Sequence, residues 1–355
     1  MVEFEYEELV KATENFCESR LVGRGSHGSV YKAILHHHHN NSQNDVVVAV
    51  KRSSGGLDDE KLHNEIGMLS SLSSTHIIKF LGTSHNQKLL LVTEFMSNGS
   101  LHDLLHSSSF PPPPWPKRVE IALQIANAVR FLHEGGCGGK SGVIVHRDIK
   151  SANVLFDSNW DAKLADFGLA VADSLSQVTS QEASQQLQPL PAGTIGYLDP
   201  CYTTPTKLST KNDVFSFGVV LLEIISGKKV FDVTRESALM VDWTVPLIES
   251  GRFSEVCDER IVLPMFMEGT VEKLLCVAAR CVSQHEETRP SIGEVVMELE
   301  ETTRLIERVR APNWTSYFFR SRMRRKLIKH SKQHSKSEAQ QQGGRMLLRE
   351  VLALN

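Results

Sequence analysis

The N-terminal part of the chain alternates short apolar runs with polar breaks, and this pattern predicts a sheet. The run VVVAVK at 46–51 is rich in β-branched residues and is predicted to be a buried strand, as is LLLVTEF at 89–95. From 21 to 51 the pattern indicates strands around a glycine-rich turn. Between them, HHHHNNSQND at 36–45 is predicted to be a solvated loop. Its histidines, His36 to His39, could bind a metal, but adjacent loop residues cannot all face one ion.

Helical periodicity appears once in this part of the chain and dominates after residue 117. Apolar residues share one helix face in two segments: Leu62, Ile66 and Leu69, and then Ile121, Ile125, Ala128, Val129 and Leu132. Helical patterns continue from 209 to about 310, where 214–225 is predicted to be a buried helix. The break SSSFPPPPWP at 107–116 is predicted to be a spacer, with docking of an aromatic-groove domain as the alternative. These patterns predict an α+β chain, mostly sheet first and mostly helix afterwards.

Composition is that of an ordinary globular protein. The 355 residues suffice for two lobes and short tails, and 41% of them are hydrophobic and 23% charged. The six cysteines form no CxxC pair, which favours a reducing compartment and free thiols. The start MVEFEYEEL lacks the apolar run of a signal peptide, and no apolar stretch reaches the roughly 20 residues of a membrane span. We therefore expect a cytoplasmic protein.

The net charge of −3 is unevenly distributed. The segment from Arg320 to Lys336 holds eight Lys and Arg residues and no acidic one. A solvated tail is the plain interpretation. Peripheral contact with an anionic plasma membrane is the first alternative and nuclear import the second. No nucleic-acid partner is expected.

Candidate chemistry begins with HRDIKSANVL at 146–155, which is followed by Asp166-Phe167-Gly168. The carboxylate of Asp148 can accept the proton of a substrate hydroxyl. Asn153 and Asp166 offer the oxygen ligands that Mg²⁺ prefers. Their spacing is that of a phosphoryl-transfer site.

A glycine-rich motif, GxGxxGxV, supplies the candidate phosphate-binding turn. Its residues are Gly23, Arg24, Gly25, Ser26, His27, Gly28, Ser29 and Val30. Glycine lets backbone N–H groups approach phosphate without a Cβ in the way. Dinucleotide-binding folds share this spacing, but a helix follows their glycines directly, whereas a strand is predicted here.

These motifs, in this order, resemble eukaryotic protein kinases over residues 16–299. Four strings are similar to the plant receptor-like, Pelle-type kinases: FEYEELVKATENF at 4–16, HRDIKSANVL, GTIGYLDP at 193–200 and KNDVFSFGVVLLEIISGKK at 211–229. The resemblance implies a bilobal α+β protein kinase fold. GTIGYLDP resembles a peptide-docking segment, which disfavours a small-molecule phosphotransferase.

The resemblance also divides the chain. It implies a lead-in at 1–15 and a kinase domain at 16–310, followed by a basic, flexible tail at 311–355. Within the domain, the N-lobe covers about 16–96 and the C-lobe about 97–310, with ATP between them. The implied activity is transfer of the γ-phosphate of ATP to protein Ser and Thr hydroxyls, with autophosphorylation. The partners are protein substrates and an upstream receptor kinase, because the sequence resembles a receptor-like cytoplasmic kinase in receptor-linked signalling.

Roles around ATP follow from the same resemblance. Lys51 would hold the α- and β-phosphates, and Glu65 would orient Lys51. Glu94 and Met96 would offer backbone hydrogen bonds to adenine, next to the small Thr93 at the back of the pocket. Mg²⁺ is the implied metal, with Mn²⁺ as a substitute.

Further roles concern the transferred phosphate and its acceptor. Lys150, two residues after Asp148, marks serine/threonine specificity in the family, and Thr194 would support Asp148. Arg147 is expected to bind a phosphate on the segment 166–200. The candidate phosphoacceptors are Ser174, Ser176, Thr179, Ser180, Ser184 and Thr194.

One departure from the family pattern concerns Cys201, which stands where the family has a glutamate. That glutamate normally pairs with a buried arginine, here Arg289 by motif. Glu286, Glu287 and Asp199 are the candidates to replace it. The departure keeps a catalytically weak, pseudokinase-like scaffold as the alternative function.

Overall fold

The computed structural model describes residues 2–25, 28–39, 42–85, 88–136, 142–173 and 190–309. The chain divides into two units, Met1–Ile306 and Glu307–Asn355, and both lobes of the fold belong to the first. The predicted basic segment from Arg320 to Lys336 lies outside the described residues.

A six-stranded sheet forms the first lobe, in the order β1-β5-β6-β4-β3-β2. The strands are β1 (Val2–Glu5), β2 (Leu21–Gly25), β3 (Gly28–His39), β4 (Ser42–Arg52), β5 (Phe80–His85) and β6 (Leu90–Glu94). Neighbours pair antiparallel except β1, which pairs parallel with β5. The strands predicted at 46–51 and 89–95 are therefore confirmed as parts of β4 and β6.

The lead-in packs onto this sheet. Strand β1 forms its edge, and a Cβ on Gly82 of β5 would lie 2.0 Å from the carbonyl oxygen of Val2, so that only glycine allows the approach. Helix α1 (Tyr6–Ala12) buries Leu9 in the core of the lobe. The buried residues around Leu9 are Ala33, Leu35, Val48, Val50, Leu90 and Val92.

The histidine stretch is strand rather than the predicted loop. Strands β3 and β4 stay paired through it, from His36 opposite Asp45 to His39 opposite Ser42. A regular antiparallel ladder satisfies the backbone, so the polar sequence extends the hairpin instead of interrupting it. Nδ1 of His36 lies 2.6 Å from Oδ1 of Asp45. Within the described ranges, no cluster of three His, Cys, Asp or Glu side chains could hold a metal ion.

Helix α2 (Leu57–Ser71) completes the first lobe. The periodicity predicted it correctly: Leu62 and Leu69 are buried, and between them lies the buried Glu65. A carboxylate on the buried face of a helix needs a partner.

The second lobe is mostly helical, as predicted. Its helices are α3 (Leu101–His106), α4 (Trp115–His133), α5 (Thr210–Ser226), α6 (Met240–Glu249), α7 (Met265–Cys281) and α8 (Ile292–Val309). Its short strands pair as β7 (Val143–Val145) with β10 (Val171–Asp173), and β8 (Val154–Phe156) with β9 (Ala162–Leu164). Helix α5 is buried from Asn212 to Ser226, and Ser209 and Asn212 form a capping box at its start. It is the central element on which the loops of the active site rest.

The proline-rich break separates α3 from α4. Pro113 within it is buried, and its carbonyl oxygen accepts a hydrogen bond from Nε of Arg118 at 2.8 Å. Trp115 then begins α4, whose five predicted face residues are all buried. A segment fixed in this way favours the spacer over the docking motif.

Candidate active site

A cleft of about 500 Å³ lies between the two lobes. The turn between β2 and β3, the strand β4, helix α2 and the connection after β6 line it together with residues from the second lobe. Residues far apart in sequence meet here, including Lys51, Glu65, Thr93, Asn153 and Asp166. The cleft therefore brings together several of the residues that the sequence predicts for nucleotide binding.

Lys51, near the end of β4, contacts two carboxylates. Its Nζ lies 2.6 Å from Oε2 of Glu65 and 2.8 Å from Oδ1 of Asp166. Burial lowers the pKa of Lys51, but the two carboxylates outweigh it and raise that pKa above its ordinary value. Burial raises the pKa of Glu65, although Lys51 opposes this. The ammonium of Lys51 is thus held in its charged form, the form that binds phosphate.

Asp148 lies in the catalytic loop, the segment 146–155. Three polar side chains surround it. Nζ of Lys150 lies 2.7 Å from Oδ2 of Asp148, and the Thr194 hydroxyl donates to Oδ1 at 2.6 Å. Lys150 also donates to that hydroxyl at 2.9 Å. The amide nitrogen of Asn153 donates to the carbonyl oxygen of Asp148 at 2.9 Å and to Oδ2 at 3.1 Å. The predicted base, cation and metal ligand thus share one hydrogen-bond network.

Asp213 of α5 fixes the backbone of the catalytic loop. Its carboxylate accepts the N–H of His146 at 2.8 Å and that of Arg147 at 2.9 Å, and it lies 2.9 Å from Nε2 of His133. Burial acts to raise the pKa of Asp213, but His133 and His146 hold it below its ordinary value. Arg147 has a left-handed φ of 70°, a conformation that persists because its surroundings over-determine it. The loop conformation is therefore set from α5.

The guanidinium of Arg147 lies against the activation segment, Asp166–Pro200. It donates to the carbonyl oxygens of Leu169, at 3.0 Å, and Leu190, and it lies over the ring of Tyr202. Its Nε is buried and has no hydrogen-bond partner in the part of the chain that the structure describes. The candidate phosphoacceptors Ser174, Ser176, Thr179, Ser180 and Ser184 lie outside the described residues.

The glycine-rich turn, residues 23–30, needs glycine for steric reasons at one position. Gly28 has a φ of 124°, and a Cβ there would lie 2.3 Å from the carbonyl oxygen of Arg52. A Cβ on Gly23 or Gly25 would meet nothing within 4 Å. No clash therefore requires glycine at these two positions. Their effect is that the backbone at the roof of the cleft, formed by this turn, carries no side chains there. Strand β3 follows the turn, as predicted, in place of the helix of a dinucleotide site.

The connection after β6 lines the far side of the cleft. Thr93, Glu94 and Met96 all contribute to its wall, and Thr93 and Met96 are buried. Gly23, Arg24, Gly25, Gly28 and Val30 line the cleft as well. Ser26 and His27 lie outside the described residues.

Arg289 has a buried acidic partner despite the cysteine at position 201. Nη2 of Arg289 donates to Oδ1 of Asp199 at 2.9 Å, and Nη1 donates to Oδ2. Both side chains are fully buried. Asp199, rather than Glu286 or Glu287, therefore takes the place of the missing glutamate. The departure from the family pattern leaves no unpaired charge at Arg289.

Sequence analysis missed a buried carboxylate, Glu223 of α5. It accepts hydrogen bonds from the Ser151 hydroxyl at 2.8 Å and the Tyr197 hydroxyl at 2.6 Å, and it lies 2.8 Å from Nε2 of His106. Ser151 belongs to the catalytic loop and Tyr197 to the activation segment, so that Glu223 ties both to α5. The available signal was an acid inside the otherwise apolar stretch 214–225, since unpaired charges are rarely buried.

Comparison with known proteins agrees with this geometry. A family model described as "Protein tyrosine and serine/threonine kinase" matches residues 17–299. The chain belongs to the protein kinase family. The bilobal fold expected from the motifs is thereby confirmed. Within the ranges that the structure describes, no helix of this kinase has both the length and the apolar character to cross a bilayer.

Several curated proteins of a plant are similar to this kinase. Two serine/threonine-protein kinase-like proteins of Arabidopsis thaliana are 48% and 44% identical to it. The first alignment covers 84% of this kinase and 87% of the relative, and the second covers 88% and 82%. A proline-rich receptor-like protein kinase of the same plant is 38% identical over 84% of this kinase, but over only 40% of its own length. The resemblance to plant receptor-like kinases is confirmed.

Proposed function

We propose that this kinase transfers the γ-phosphate of ATP to serine and threonine hydroxyls of proteins, including its own. The observation that carries the proposal is the contact of Asp148 with both Lys150, at 2.7 Å, and Thr194, at 2.6 Å. A base and a cation side by side can receive a hydroxyl proton and balance the charge of the phosphate. The names of two similar plant proteins, both serine/threonine-protein kinase-like proteins, support the choice of acceptor.

ATP fits the cleft by the shape and chemistry of its walls. The bare roof at Gly23 and Gly25 would let backbone N–H groups approach the phosphates. Lys51, held charged by its two carboxylates, would contact the α- and β-phosphates. Adenine would lie against the backbone of Glu94 and Met96 at the far wall.

Magnesium fits the oxygen donors that Asn153 and Asp166 contribute to the cleft. Asp166 offers a carboxylate, and Asn153, whose amide nitrogen is engaged by Asp148, offers its amide oxygen. Mn²⁺ accepts the same ligands. The bound ion would neutralise charge on the β- and γ-phosphates.

The residues of the chain would then perform distinct tasks. Asp148 accepts the proton of the substrate hydroxyl. Lys150 stabilises negative charge on the transferred group, and Thr194 keeps the Asp148 carboxylate oriented. Asp213 holds the backbone that carries Asp148. The scaffold alternative is not favoured, because Lys51, Asp148, Asn153 and Asp166 are all in place.

The position of Arg147 suits it to bind a phosphate on the activation segment, which would activate the kinase. Its buried Nε lacks a partner among the described residues, and Nη1 and Nη2 donate to the backbone carbonyl oxygens of Leu169 and Leu190. Thr194 is a poor activating site, because its hydroxyl contacts Asp148 and a phosphate there would repel that carboxylate. The acceptor is therefore expected among Ser174, Ser176, Thr179, Ser180 and Ser184.

Signalling partners and location are proposed from sequence similarity and from charge. Similarity to receptor-like kinases suggests an upstream receptor kinase as a partner and a cytoplasmic setting. The eight cations from Arg320 to Lys336 would draw the protein to anionic lipid. Co-sedimentation with anionic but not neutral vesicles, lost at high salt, is the expected behaviour. Equal recovery with both vesicles would refute membrane contact.

The test of the proposed function is a comparison of wild type with Asp148→Asn. Both proteins are incubated with ATP, Mg²⁺ and a generic protein substrate, and phosphosites are mapped by mass spectrometry. Wild type is expected to phosphorylate Ser and Thr, and the variant is not. Phosphotyrosine alone, or equal turnover by the two proteins, would overturn the proposal.

A further inference from the structure

Asn64 of helix α2 bridges two parts of the chain that are about a hundred residues apart. Its amide nitrogen, Nδ2, lies 2.9 Å from the carbonyl oxygen of Ala170, 3.1 Å from that of Gly168 and 3.3 Å from that of Phe167. These three carbonyl groups lie close after Asp166 in the activation segment. One side chain of the small lobe thus holds the backbone next to the proposed magnesium ligand.

Glu65, the next residue of the helix, also binds this backbone, but it accepts a hydrogen bond where Asn64 donates. Oε1 of Glu65 accepts the N–H of Phe167 at 3.3 Å, while Oε2 pairs with Lys51. Helix α2 therefore supplies an acceptor and a donor at consecutive positions. Together they bind both N–H and C=O groups of the backbone after Asp166. This fixes the orientation of the segment relative to helix α2 as well as its distance from the helix.

The backbone at this point needs external support. Asp166 has a left-handed φ of 64°, which is unfavourable for a residue with a side chain. Phe167 is completely buried and packs edge-on against the ring of His146. Such conformations persist only where surrounding contacts over-determine them, and the hydrogen bonds from Asn64 are part of that support.

We propose that Asn64 is a positioning residue that couples helix α2 to the conformation of Asp166-Phe167-Gly168. It acts through the backbone of that segment and not on substrate or nucleotide. When helix α2 is in place, Asn64 keeps the Asp166 carboxylate in the cleft beside Lys51. When the helix moves, the carbonyl groups lose their donor and the segment is free to leave. The catalytic consequence rests on the proposed function of Asp166, whereas the coupling itself does not.

A change from amide to carboxylate tests this coupling sharply. Asn64→Asp keeps the size and shape of the side chain, but at neutral pH it replaces the N–H donors by a negative oxygen that faces three carbonyl oxygens. Asn64→Ala removes the donors without adding charge. If donation to the backbone is the function, the aspartate variant is disturbed more than the alanine variant. Asn159→Asp makes the same chemical change in an exposed turn and is the matched control.

The principal readout is hydrogen–deuterium exchange of the nucleotide-free protein, followed on peptides covering 166–170. Loss of ordinary hydrogen bonds predicts exchange about tenfold faster in Asn64→Ala and faster still in Asn64→Asp. Peptides from α4 and α5 should be unaffected. The second readout is Mg²⁺-dependent binding of a fluorescent ATP analogue, in which both variants should need more Mg²⁺ than wild type and than Asn159→Asp.

The outcomes separate this inference from the proposed function. Unchanged exchange at 166–170 in Asn64→Asp, or faster exchange spread equally over α4 and α5, would overturn the coupling. If Asn64→Asp does not fold, unchanged exchange in Asn64→Ala has the same meaning. A wild-type protein without kinase activity would refute the proposed function, but a selective change in exchange at 166–170 would still support the role of Asn64.

Discussion

Asp199 and Arg289 form a buried ion pair with two hydrogen bonds between the carboxylate and the guanidinium. Asn212 of α5 donates to the same carboxylate at 2.7 Å, as does the N–H of Cys201 at 2.8 Å. Burial acts to raise the pKa of Asp199, but the hydrogen bonds from Arg289 and Asn212 hold it below its ordinary value. The end of the activation segment is thus anchored to the second lobe by an aspartate that lies two residues before the expected glutamate.

Removal of the charge from Asp199 should destabilise the second lobe. Asp199→Asn would leave the buried guanidinium of Arg289 without a counter-charge, which costs about 3–5 kcal/mol. The free energy of unfolding in urea measures this. Glu287→Gln, at an exposed acid near Arg289 in sequence, is the control and should change stability by less than about 0.5 kcal/mol. Equal effects of the two substitutions would contradict the assigned pair.

Restoring the family glutamate should not stabilise the protein. From the sequence alone, Cys201→Glu is expected to raise the melting temperature, because it restores the family's acidic partner for Arg289. In the structure Arg289 already forms an ion pair with Asp199. Sγ of Cys201 lies 3.1 Å from the carbonyl oxygen of Gln284. A second carboxylate would add desolvation and repulsion, so an unchanged or lower melting temperature is predicted. A clear increase would show that the guanidinium still lacks charge compensation.

The sequence predicted what depends on local pattern and motif spacing. The strand ending near Lys51 and the helix carrying Glu65 follow from periodicity, and their meeting follows from the family resemblance. The partner of Arg289 did not follow, because three acids were eligible and only tertiary packing selects Asp199. Asn64 was not singled out because a polar residue in a helical pattern looks exposed until the element packed against it is known. Glu223 was given no role because its partners Ser151 and Tyr197 lie in other elements.

The paired histidine strands have a related explanation. HHHHNNSQND contains no apolar alternation, so that local pattern indicates a loop. The backbone of its described residues nevertheless continues the ladder that begins in the well-packed part of β3 and β4. Hydrogen bonding propagates along a hairpin once its register is set, and the side-chain pattern does not report this.

Acid should weaken the protein through Asp258 as well as Asp199. Burial acts to raise the pKa of Asp258, but Arg260 and Arg118 lower it to about 2 from an ordinary 3.8. A group with a depressed folded-state pKa stabilises above its unfolded pKa, and this contribution is lost as pH falls toward the folded value. The difference in unfolding free energy between wild type and Asp258→Asn should therefore be constant near neutral pH and shrink as pH falls from 3.8 toward 2. A difference that grows in acid would contradict the assignment.

The charges of Lys51 and Asp166 in the cleft should be essential for turnover but not for folding. Lys51→Met and Asp166→Ala are each expected to reduce ATP-dependent autophosphorylation by at least about 100-fold, because both groups act on charge that develops during transfer. Incorporation of labelled phosphate and a thermal melt measure activity and folding together. Lys88→Met, at an exposed lysine of the same lobe, is the control and should retain activity. Unchanged turnover in either cleft variant would refute the assigned roles.

The hydrogen-bond network of Glu223 is expected to position the residues around Asp148 without affecting nucleotide binding. Ser151 directly follows Lys150, and Tyr197 lies three residues after Thr194, so Glu223 holds both sides of the Asp148 site through hydroxyl hydrogen bonds. Burial and the Glu223 carboxylate raise the pKa of Tyr197, which keeps its hydroxyl protonated as a donor.

Tyr197→Phe removes that donor and leaves a carboxylate oxygen in the interior with one bond fewer, at a cost of about 1–3 kcal/mol. Because the change acts on the activation segment and not on the ATP cleft, kcat should fall while KM for ATP stays close to that of wild type. Tyr6→Phe, in helix α1 of the other lobe, is the matched control and should leave both constants unchanged. Steady-state kinetics with a protein substrate measure the two constants. A rise in KM for ATP without a fall in kcat would show that the network serves the nucleotide side instead.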